Sequence, residues 1–324
     1  MKYIVTGAAG LIGSALVWKL NQMGIDDILA VDHLGTSEKW KNLRALAYAD
    51  YMEKDVFMEK LLANQISLGT EVILHMGACS STTEKDATYL VHNNFEYTRT
   101  LAQYAVSRGI QFLYASSAAT YGAGEHGYVD DESAIEKLRP LNMYGYSKQM
   151  FDLWARRNGL LDKITGVKYT NVFGPNELHK GEMRSVVCRS YEQIRDSGKV
   201  RLFRSYLPEY ADGEQKRDFI YVKDAVEMVM FLLNKRCHGI YNIGSGRAET
   251  WNALATAAFK AMDMPVNIEY IDMPEHLKGK YQYYTCADIS KIRAAGYQGE
   301  VAPLEETVAD YIRNYISKGY FLGD

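Results

Sequence analysis

The sequence predicts an α/β fold with a doubly wound parallel sheet and a smaller mixed α/β lobe. Short apolar runs, typical of buried parallel strands, occur at residues 3–6, 28–31, 72–75, 112–116 and 167–171. Helix-length segments separate them, and this alternation favours parallel strands joined by crossover helices. After residue 174 charges and turns are denser, so we expect residues 1–174 to form the sheet domain. Residues 175–324 then form mainly the smaller, substrate-binding lobe, with a segment of about 218–246 returning to the first domain.

Composition excludes several classes of protein. The 324 residues are 47% apolar and 24% charged, with a formal net charge of -3, so nothing marks the chain as a nucleic-acid or membrane binder. The apolar runs are too short to span a bilayer, and the N-terminus lacks the apolar segment of a signal peptide. We therefore expect a cytoplasmic protein. The four cysteines include no C-x-x-C pair, so neither a metal site nor a disulfide framework is expected.

A glycine turn joins the first predicted strand to the first helix. Gly7, Gly10 and Gly13 follow the strand, and apolar residues then recur at helical spacing. Glycines permit a tight turn and a close approach to a pyrophosphate, which would bind free N–H groups at the helix start. The G-x-x-G-x-x-G spacing is a weak signal alone, but its position between strand and helix predicts the dinucleotide-binding loop of a Rossmann domain.

The residues that would surround the adenosine ribose leave the choice between NAD and NADP undecided. Asp32 follows the second strand, where a carboxylate bonds the ribose hydroxyls and usually favours NAD. Lys39, Lys41 and Lys54 come soon after and could neutralise the 2′-phosphate of NADP, although lysines are more commonly solvated on the surface. The local pattern therefore does not decide between NAD and NADP.

A predicted helix carries a candidate acid–base pair. Asn142 can cap its start, and Tyr144 and Lys148 are then four residues apart on one face. A neighbouring ammonium stabilises a phenolate, so Tyr144 could take a proton from an alcohol while hydride moves to a nicotinamide. Tyr146 is two residues from Lys148 and faces elsewhere. A surface Tyr–Lys pair without a function is the alternative interpretation.

A hydroxyl at the end of the fourth predicted strand is the third candidate. Ligands bind beyond the carboxyl ends of such strands, where Ser117 could bond the reacting oxygen. We choose Ser117 over Ser116 because of its distance to the Tyr121-Gly122 pair. Capping of the strand end is the alternative role for these serines.

These motifs together resemble the extended short-chain dehydrogenase/reductases that act on nucleotide sugars. The matching pieces are residues 6–13, the serines 116–117, Tyr144-x-x-x-Lys148 and residues 217–222. Within that group the chain is similar to the ADP-L-glycero-D-manno-heptose 6-epimerase family. That similarity extends over residues 77–84, 114–122, 144–148, 171–175, 179–181, 246–249 and 277–282.

The resemblance implies a specific reaction. Carbon 6″ of ADP-D-glycero-β-D-manno-heptose would be oxidised to a transient ketone and reduced on its other face, giving the L-glycero epimer for the lipopolysaccharide inner core. Tyr144 would serve one orientation of the oxygen and Lys180 the other, with Ser117 and Lys148 assisting. The resemblance favours NADP, leaves NAD possible because of Asp32, and implies a homo-oligomer such as a pentamer.

The resemblance also assigns binding residues one by one. Glu182 and Arg189 stand where the family often has Ser and His, and segment 203–217 is longer than usual. The cofactor set is Gly7, Gly10, Leu11, Ile12, Gly13, Asp32, His33, Lys39, Lys54, Met76, Gly77, Ala78, Cys79, Ser80, Asn93, Lys148, Val172 and Lys180. The substrate set is Ser117, Asn171, Glu182, Arg189, Phe203, Arg217 and Tyr281.

Three other functions remain as alternatives. A UDP-hexose 4-epimerase is the main one, because its chemistry is similar and would not require Lys180. A 4,6-dehydratase would carry an acidic pair after the active-site hydroxyl, whereas Ala118 and Ala119 follow Ser117. A non-catalytic NADP(H)-sensing module would often lose the tyrosine or the lysine, and both are present.

Overall fold

The computed structural model describes residues 1–66, 69–275, 278 and 281–324. Its strands are β1 (Tyr3–Thr6), β2 (Ile28–Asp32), β3 (Asp50–Glu53), β4 (Val72–His75), β5 (Gln111–Ser117), β6 (Thr165–Tyr169), β7 (Asn171–Phe173), β8 (Val200–Phe203), β9 (Lys216–Arg217), β10 (Phe219–Tyr221), β11 (Gly239–Ile243), β12 (Glu249–Thr250) and β13 (Ile268–Ile271). Its α-helices are α1 (Leu11–Gln22), α2 (Lys54–Leu62), α3 (Ala87–Leu90), α4 (Tyr97–Ser107), α5 (Met143–Arg157), α6 (Val186–Ser197), α7 (Val222–Asn234), α8 (Trp251–Ala261), α9 (Ser290–Ala294) and α10 (Leu304–Asp310). Shorter 3-10 turns include Glu38–Asn42 and Leu178–Met183.

Seven parallel strands form the central sheet, in the order β3-β2-β1-β4-β5-β6-β11. This confirms the predicted doubly wound sheet. The strand order reverses between β1 and β4, and ligands of such folds bind in the crevice at that point.

One strand differs from its predicted bounds. The run expected at 167–171 is divided, because β6 ends at Tyr169 and Asn171 begins β7. At the break Thr170 donates its N–H to Ile243 of β11, while Asn171 donates to the carbonyl of Asp218. Strand β7 therefore leaves the main sheet and pairs with β10.

Helices cover both faces of the sheet. On one face α1 packs against α7 through a core that includes Leu16, Leu20 and Val226. On the other face α2, α4 and α5 bury apolar residues such as Leu101 and Phe151. Because both faces are covered, the central strands β1 and β4 are buried and largely apolar rather than alternating, as expected for a parallel sheet.

A second core lies in the C-terminal half. Helices α6, α8 and α10 pack there with the parallel pair β8–β13, burying residues such as Val187, Phe259 and Val308. The intervening segment 222–243 supplies α7 and the edge strand β11 to the main sheet. Over the described part of the chain, no helix has the length and apolar character required to cross a membrane.

Candidate active site

A cleft of about 860 Å³ lies over the carboxyl ends of the central strands. Its floor includes the last residues of β1, β2, β5 and β6 or their immediate neighbours, among them Thr6, Asp32, Ser117 and Tyr169. The opposite wall comes from the C-terminal half and includes Trp251 of α8. The cleft therefore occupies the position at which the strand order predicts a ligand.

The glycine turn packs so closely against neighbouring backbone that side chains would not fit at two of its glycines. Gly7 has a positive φ of 67°, and a Cβ there would lie 2.6 Å from the nitrogen of Gly77. A Cβ on Gly13 would lie 1.9 Å from the carbonyl oxygen of Gly7. Helix α1 starts after Gly10 without a side-chain cap, so its first N–H groups are left for a ligand. Such a cradle suits the pyrophosphate of a dinucleotide.

At the far end of this cradle Asp32 is held by several donors. Its carboxylate accepts from the N–H groups of Ala9 and His33, each at 2.7 Å, and from Nζ of Lys39 at 2.6 Å. The side chain is only 7% exposed. Asp32 and Lys39 thus form an ion pair in the lining of the cleft. Lys54 also lines the cleft, where its Nζ bonds Asp55 at 2.6 Å.

Helix α5 presents the predicted acid–base pair to the same cleft. The side chain of Asn142 accepts from the N–H of Gly145 at 2.8 Å, which caps the helix start as expected. Lys148 is buried and donates to the carbonyl of Ala115 at 2.8 Å, and burial lowers its pKa to about 8. Burial raises the pKa of Tyr144, and a hydrogen bond with Ser117 acts in the opposite direction.

The two candidate serines have different partners. The Ser117 hydroxyl accepts from the N–H of Ala119 at 3.1 Å, and its side chain interacts with Tyr144. The Ser116 hydroxyl instead donates to the buried carboxylate of Asp152 at 2.7 Å. Ser117 is consequently the serine that is paired with the tyrosine.

Lys180 reaches the cleft on a loop that follows β7. The loop carries Gly181 with a positive φ of 53°, and burial lowers the pKa of Lys180, while Glu177 opposes this shift. Glu177 is fully buried and accepts from the N–H of Ser185 at 2.5 Å and from its hydroxyl at 2.6 Å. This carboxylate therefore ties the start of the Lys180 loop to its end.

Four of the predicted substrate residues do not line the cleft. Glu182 is exposed on the Lys180 loop. Phe203, Arg217 and Tyr281 instead form a cluster with Trp251, in which the Arg217 guanidinium lies 5.0 Å from the Tyr281 ring and 5.7 Å from the Trp251 ring. Burial lowers the pKa of Arg217. Because Trp251 also lines the cleft, this cluster adjoins it.

The other predicted site residues come together around the cleft. Asn171 and Arg189 of the substrate set line it, as does Ser117. In the motif at 277–282, Leu277, Gly279 and Lys280 lie outside the described residues. Every member of the cofactor set lines the cleft: Gly7, Gly10, Leu11, Ile12, Gly13, Asp32, His33, Lys39, Lys54, Met76, Gly77, Ala78, Cys79, Ser80, Asn93, Lys148, Val172 and Lys180.

Residues directly beneath the cleft were missed by the sequence analysis. Asp152 and Lys168 form a buried ion pair, with 3.6 Å between Oδ2 and Nζ. Asp152 lies four residues after Lys148, so continued helical spacing could have identified it. Lys168 stands inside an apolar strand, and such a buried cation needs a partner. His75 ends β4 and bonds the hydroxyls of Thr6 at 2.6 Å and Thr98 at 2.8 Å.

His75 should make the protein sensitive to acid. Burial lowers its pKa to about 3, with Lys148 acting in the same direction, whereas an unfolded chain titrates at about 6.5. Between these values the unfolded state binds the extra proton, so stability is lost as the pH falls, by at most about 1.4 kcal/mol per unit. Urea unfolding of His75→Gln between pH 7 and pH 4 should show a flatter loss than the parent. His92→Gln, at an exposed histidine, should keep the parent slope; equal slopes for all three proteins would contradict the assignment.

Comparisons with known proteins identify the family of the chain. The model of the NAD dependent epimerase/dehydratase family matches residues 3–244. A protein of Nitratidesulfovibrio vulgaris (strain DP4), named ADP-L-glycero-D-manno-heptose-6-epimerase, is 55% identical over 97% of this chain and 98% of its own length. A protein of the same name from Fusobacterium nucleatum subsp. nucleatum is 49% identical, with the same coverage.

Solved structures share the fold. The Helicobacter pylori ADP-L-glycero-D-manno-heptose-6-epimerase superposes with a TM-score of 0.80 at 23% identity, covering 97% of this chain and 95% of the other. The UDP-glucose 4-epimerase of Thermus thermophilus, solved in complex with NAD, gives a TM-score of 0.76 at 23% identity, covering 98% and 100%. The fold is thus common to epimerases with different substrates, and the closer sequence relationships separate them. The chain belongs to the NAD dependent epimerase/dehydratase family and, within it, to the ADP-L-glycero-D-manno-heptose-6-epimerases.

Proposed function

We propose that this enzyme epimerises carbon 6″ of ADP-D-glycero-β-D-manno-heptose to the L-glycero form, for the lipopolysaccharide inner core, with NADP as its cofactor. One observation carries the proposal. The Tyr144–Lys148 pair and Lys180 line the same cleft as the glycine cradle, although they lie on separate elements of the chain. Two acid–base groups from different elements suit a reaction whose oxygen must be served in two orientations.

The first group is Tyr144 with its neighbours. Burial alone disfavours a phenolate, so the charge that would stabilise it must come from nearby. Lys148 supplies an ammonium in the same cleft, and Ser117 supplies a hydroxyl that stabilises the ionised form. A dinucleotide held by the glycine cradle would supply the hydride chemistry at carbon 6″. Tyr144 removes the hydroxyl proton from one epimer as that carbon is oxidised.

Lys180 is the second group. Burial lowers its pKa, which moves an amine towards the range in which it exchanges protons near neutral pH. After the substrate presents the other face of its ketone, Lys180 protonates the oxygen that lies away from Tyr144. Because Glu177 is buried close by, the Lys180 ammonium keeps a counter-charge between transfers.

The ion pair beside the ribose supports NADP. Alone, the Asp32 carboxylate would repel a 2′-phosphate, but Lys39 neutralises it at 2.6 Å. His179 lines the same end of the cleft, where burial lowers its pKa to about 4 and Lys180 and Lys39 add to the shift. Lys39 and Lys180, whose charges both act on His179, would attract the more anionic cofactor.

Replacing Lys39 should reduce selectivity for NADP. We expect Lys39→Ala to weaken NADP binding about 10- to 100-fold, the usual size of a lost charged hydrogen bond, and to change NAD binding little. Titration of protein fluorescence with each cofactor measures both affinities. Lys41→Ala is the matched control, since Lys41 lies on the same turn, pairs with Glu38 and does not line the cleft. Equal losses for NAD and NADP would show that Lys39 does not read the phosphate.

The Arg217 cluster supports a nucleotide diphosphate in the substrate. Its guanidinium donates to the carbonyls of Lys216 and Gln282, and Gln282 lines the cleft. The aromatic rings on two sides of the buried guanidinium carry no negative charge. A pyrophosphate would provide the anionic partner of this cation. Phe203 and Tyr281 offer flat surfaces for the base.

Family likeness also supports a cytoplasmic homo-oligomer. Light scattering during size-exclusion chromatography would give its size; a monomer at working concentration would remove this part of the proposal.

The reaction itself is tested by proton NMR. Purified protein is mixed with ADP-D-glycero-D-manno-heptose, first without added cofactor and then with NADP or NAD. Growth of the L-glycero epimer supports the proposed function, and growth without added cofactor shows that the dinucleotide stays bound and is recycled. No change under any condition contradicts it, and conversion of UDP-glucose instead would identify a 4-epimerase.

A further inference from the structure

Two buried asparagines connect the glycine turn to the loop that carries Lys180. Asn42 ends the 3-10 turn after β2 and is 2% exposed. Its Nδ2 donates to the carbonyl of Ala9 at 2.8 Å and to the carbonyl of Asn176 at 2.9 Å. The same nitrogen lies 3.2 Å from Nδ1 of His179. One amide thus bonds the cofactor turn and the base of the Lys180 loop at once.

Asn176 adds a second set of bonds in the same place. It is also 2% exposed, and its φ of 77° is a left-handed value that asparagine tolerates. Its Nδ2 donates to the hydroxyl of Ser14 on α1 at 2.9 Å, and its Oδ1 accepts from the N–H of Leu322 at 3.0 Å. Ser14 in turn donates to the carbonyl of Gly10 at 2.6 Å. The loop is therefore fixed to the helix that begins the cofactor cradle.

We propose that Asn42 and Asn176, the amide bridge, are positioning residues that set Lys180 against the cofactor for the second proton transfer. The inference rests on the acid–base role proposed for Lys180. Neither asparagine lines the cleft, so each acts through the loop and not on the substrate.

The loop needs such a bridge because its own structure provides little support. It is a short 3-10 segment with a break at Gly181, and the lysine chain adds rotatable bonds of its own. Glu177 closes the loop on Ser185 and accepts from the N–H of Gly174 at 3.5 Å, so these bonds stay close to the loop itself. The amide bridge is what bonds the loop to the glycine turn and α1. Helix α5, which carries Tyr144, has a separate cap at Asn142.

The bridge should therefore affect one epimer more than the other. Enzyme loaded with NADP is mixed with either pure epimer under single-turnover conditions, and the absorbance of the reduced cofactor is followed. Lys180→Ala first identifies the epimer that depends on Lys180. Asn176→Gly, which tolerates the positive φ, and Asn42→Ala should each slow oxidation of that epimer about 10- to 100-fold, as expected for a misplacement near 1 Å. Oxidation of the other epimer should keep the parent rate.

Asn21→Ala is the matched control. Asn21 lies at the opposite end of α1, where its side chain donates to the carbonyls of Ile25 and Ala47, each at 2.9 Å. Its loss should lower thermal stability much as the bridge variants do, without selectivity between epimers. If Asn176→Gly does not fold, Asn176→Asp removes the donor to Ser14 and keeps an acceptor for Leu322.

The outcomes separate this inference from the proposed function. Suppose that Lys180→Ala slows the oxidation of one epimer only, but that the bridge variants slow both epimers equally or slow neither. The positioning role is then overturned, while the acid–base role of Lys180 stands. If Lys180→Ala itself slows both epimers equally, the second acid–base assignment fails and the inference fails with it.

Discussion

Replacing Tyr144 with phenylalanine should nearly abolish turnover while leaving the cofactor site intact. Loss of a positioned general acid–base group costs about 10²- to 10⁴-fold in kcat. The ring of Tyr144 still fills its place in Tyr144→Phe, and the glycine cradle and the Asp32–Lys39 pair are on other elements. We therefore expect the affinity for NADP to be unchanged. Steady-state epimerisation by NMR and fluorescence titration of NADP measure the two quantities.

The matched control is on the same helix. Tyr146→Phe removes a hydroxyl from a side chain that is 47% exposed, two residues from Lys148. It should retain the parent rate. If Tyr144→Phe also retains that rate, the catalytic assignment is wrong, whatever happens to cofactor affinity.

The sequence predicted the parts of the fold that local patterns encode. The runs at 3–6 and 72–75 are strands with those bounds, and the glycine turn and the Asn142 cap are where the pattern placed them. Buried parallel strands are apolar throughout, so short windows reveal them. The bounds predicted for β6, residues 167–171, were wrong because the strand-like run continues across the break at Thr170. Only the bonds of Thr170 and Asn171 to distant residues show the break.

Local sequence patterns predicted some residues of the site but not others, for a physical reason. Tyr144 and Lys148 share one helix, so their spacing alone places them together. Lys180 has no such signal, and only family resemblance singled it out. Its position depends on Asn42 and Asn176, whose contacts join residues up to 162 apart in sequence. Contacts of that kind have no local pattern, so the structure was needed to find them.

The buried ion pair beneath the cleft also joins distant residues, and breaking it should cause a large loss of stability. Lys168 and Asp152 are 2% and 0% exposed, with 3.6 Å between their charged atoms. Lys168 also donates to the hydroxyl of Thr120 at 2.9 Å, and Asp152 accepts from Tyr114 at 2.9 Å. Lys168→Met should destabilise the protein by about 3–5 kcal/mol at pH 8, because an uncompensated carboxylate remains in the core. Urea unfolding measures the loss.

The pH dependence of that loss distinguishes charge from packing. Burial already raises the pKa of Asp152, and Lys168 opposes the shift, so removing the lysine raises this pKa further. A carboxyl whose folded pKa exceeds its unfolded value loses stability as the pH rises between the two values. The deficit of Lys168→Met should therefore shrink from pH 8 to pH 5, and adding Asp152→Asn should recover part of it at pH 8. Lys223→Met breaks a partly exposed pair with Asp310 and should cost at most about 1 kcal/mol. A deficit of Lys168→Met that is equal at both pH values would mean that lost packing, and not the stranded charge, is the cause.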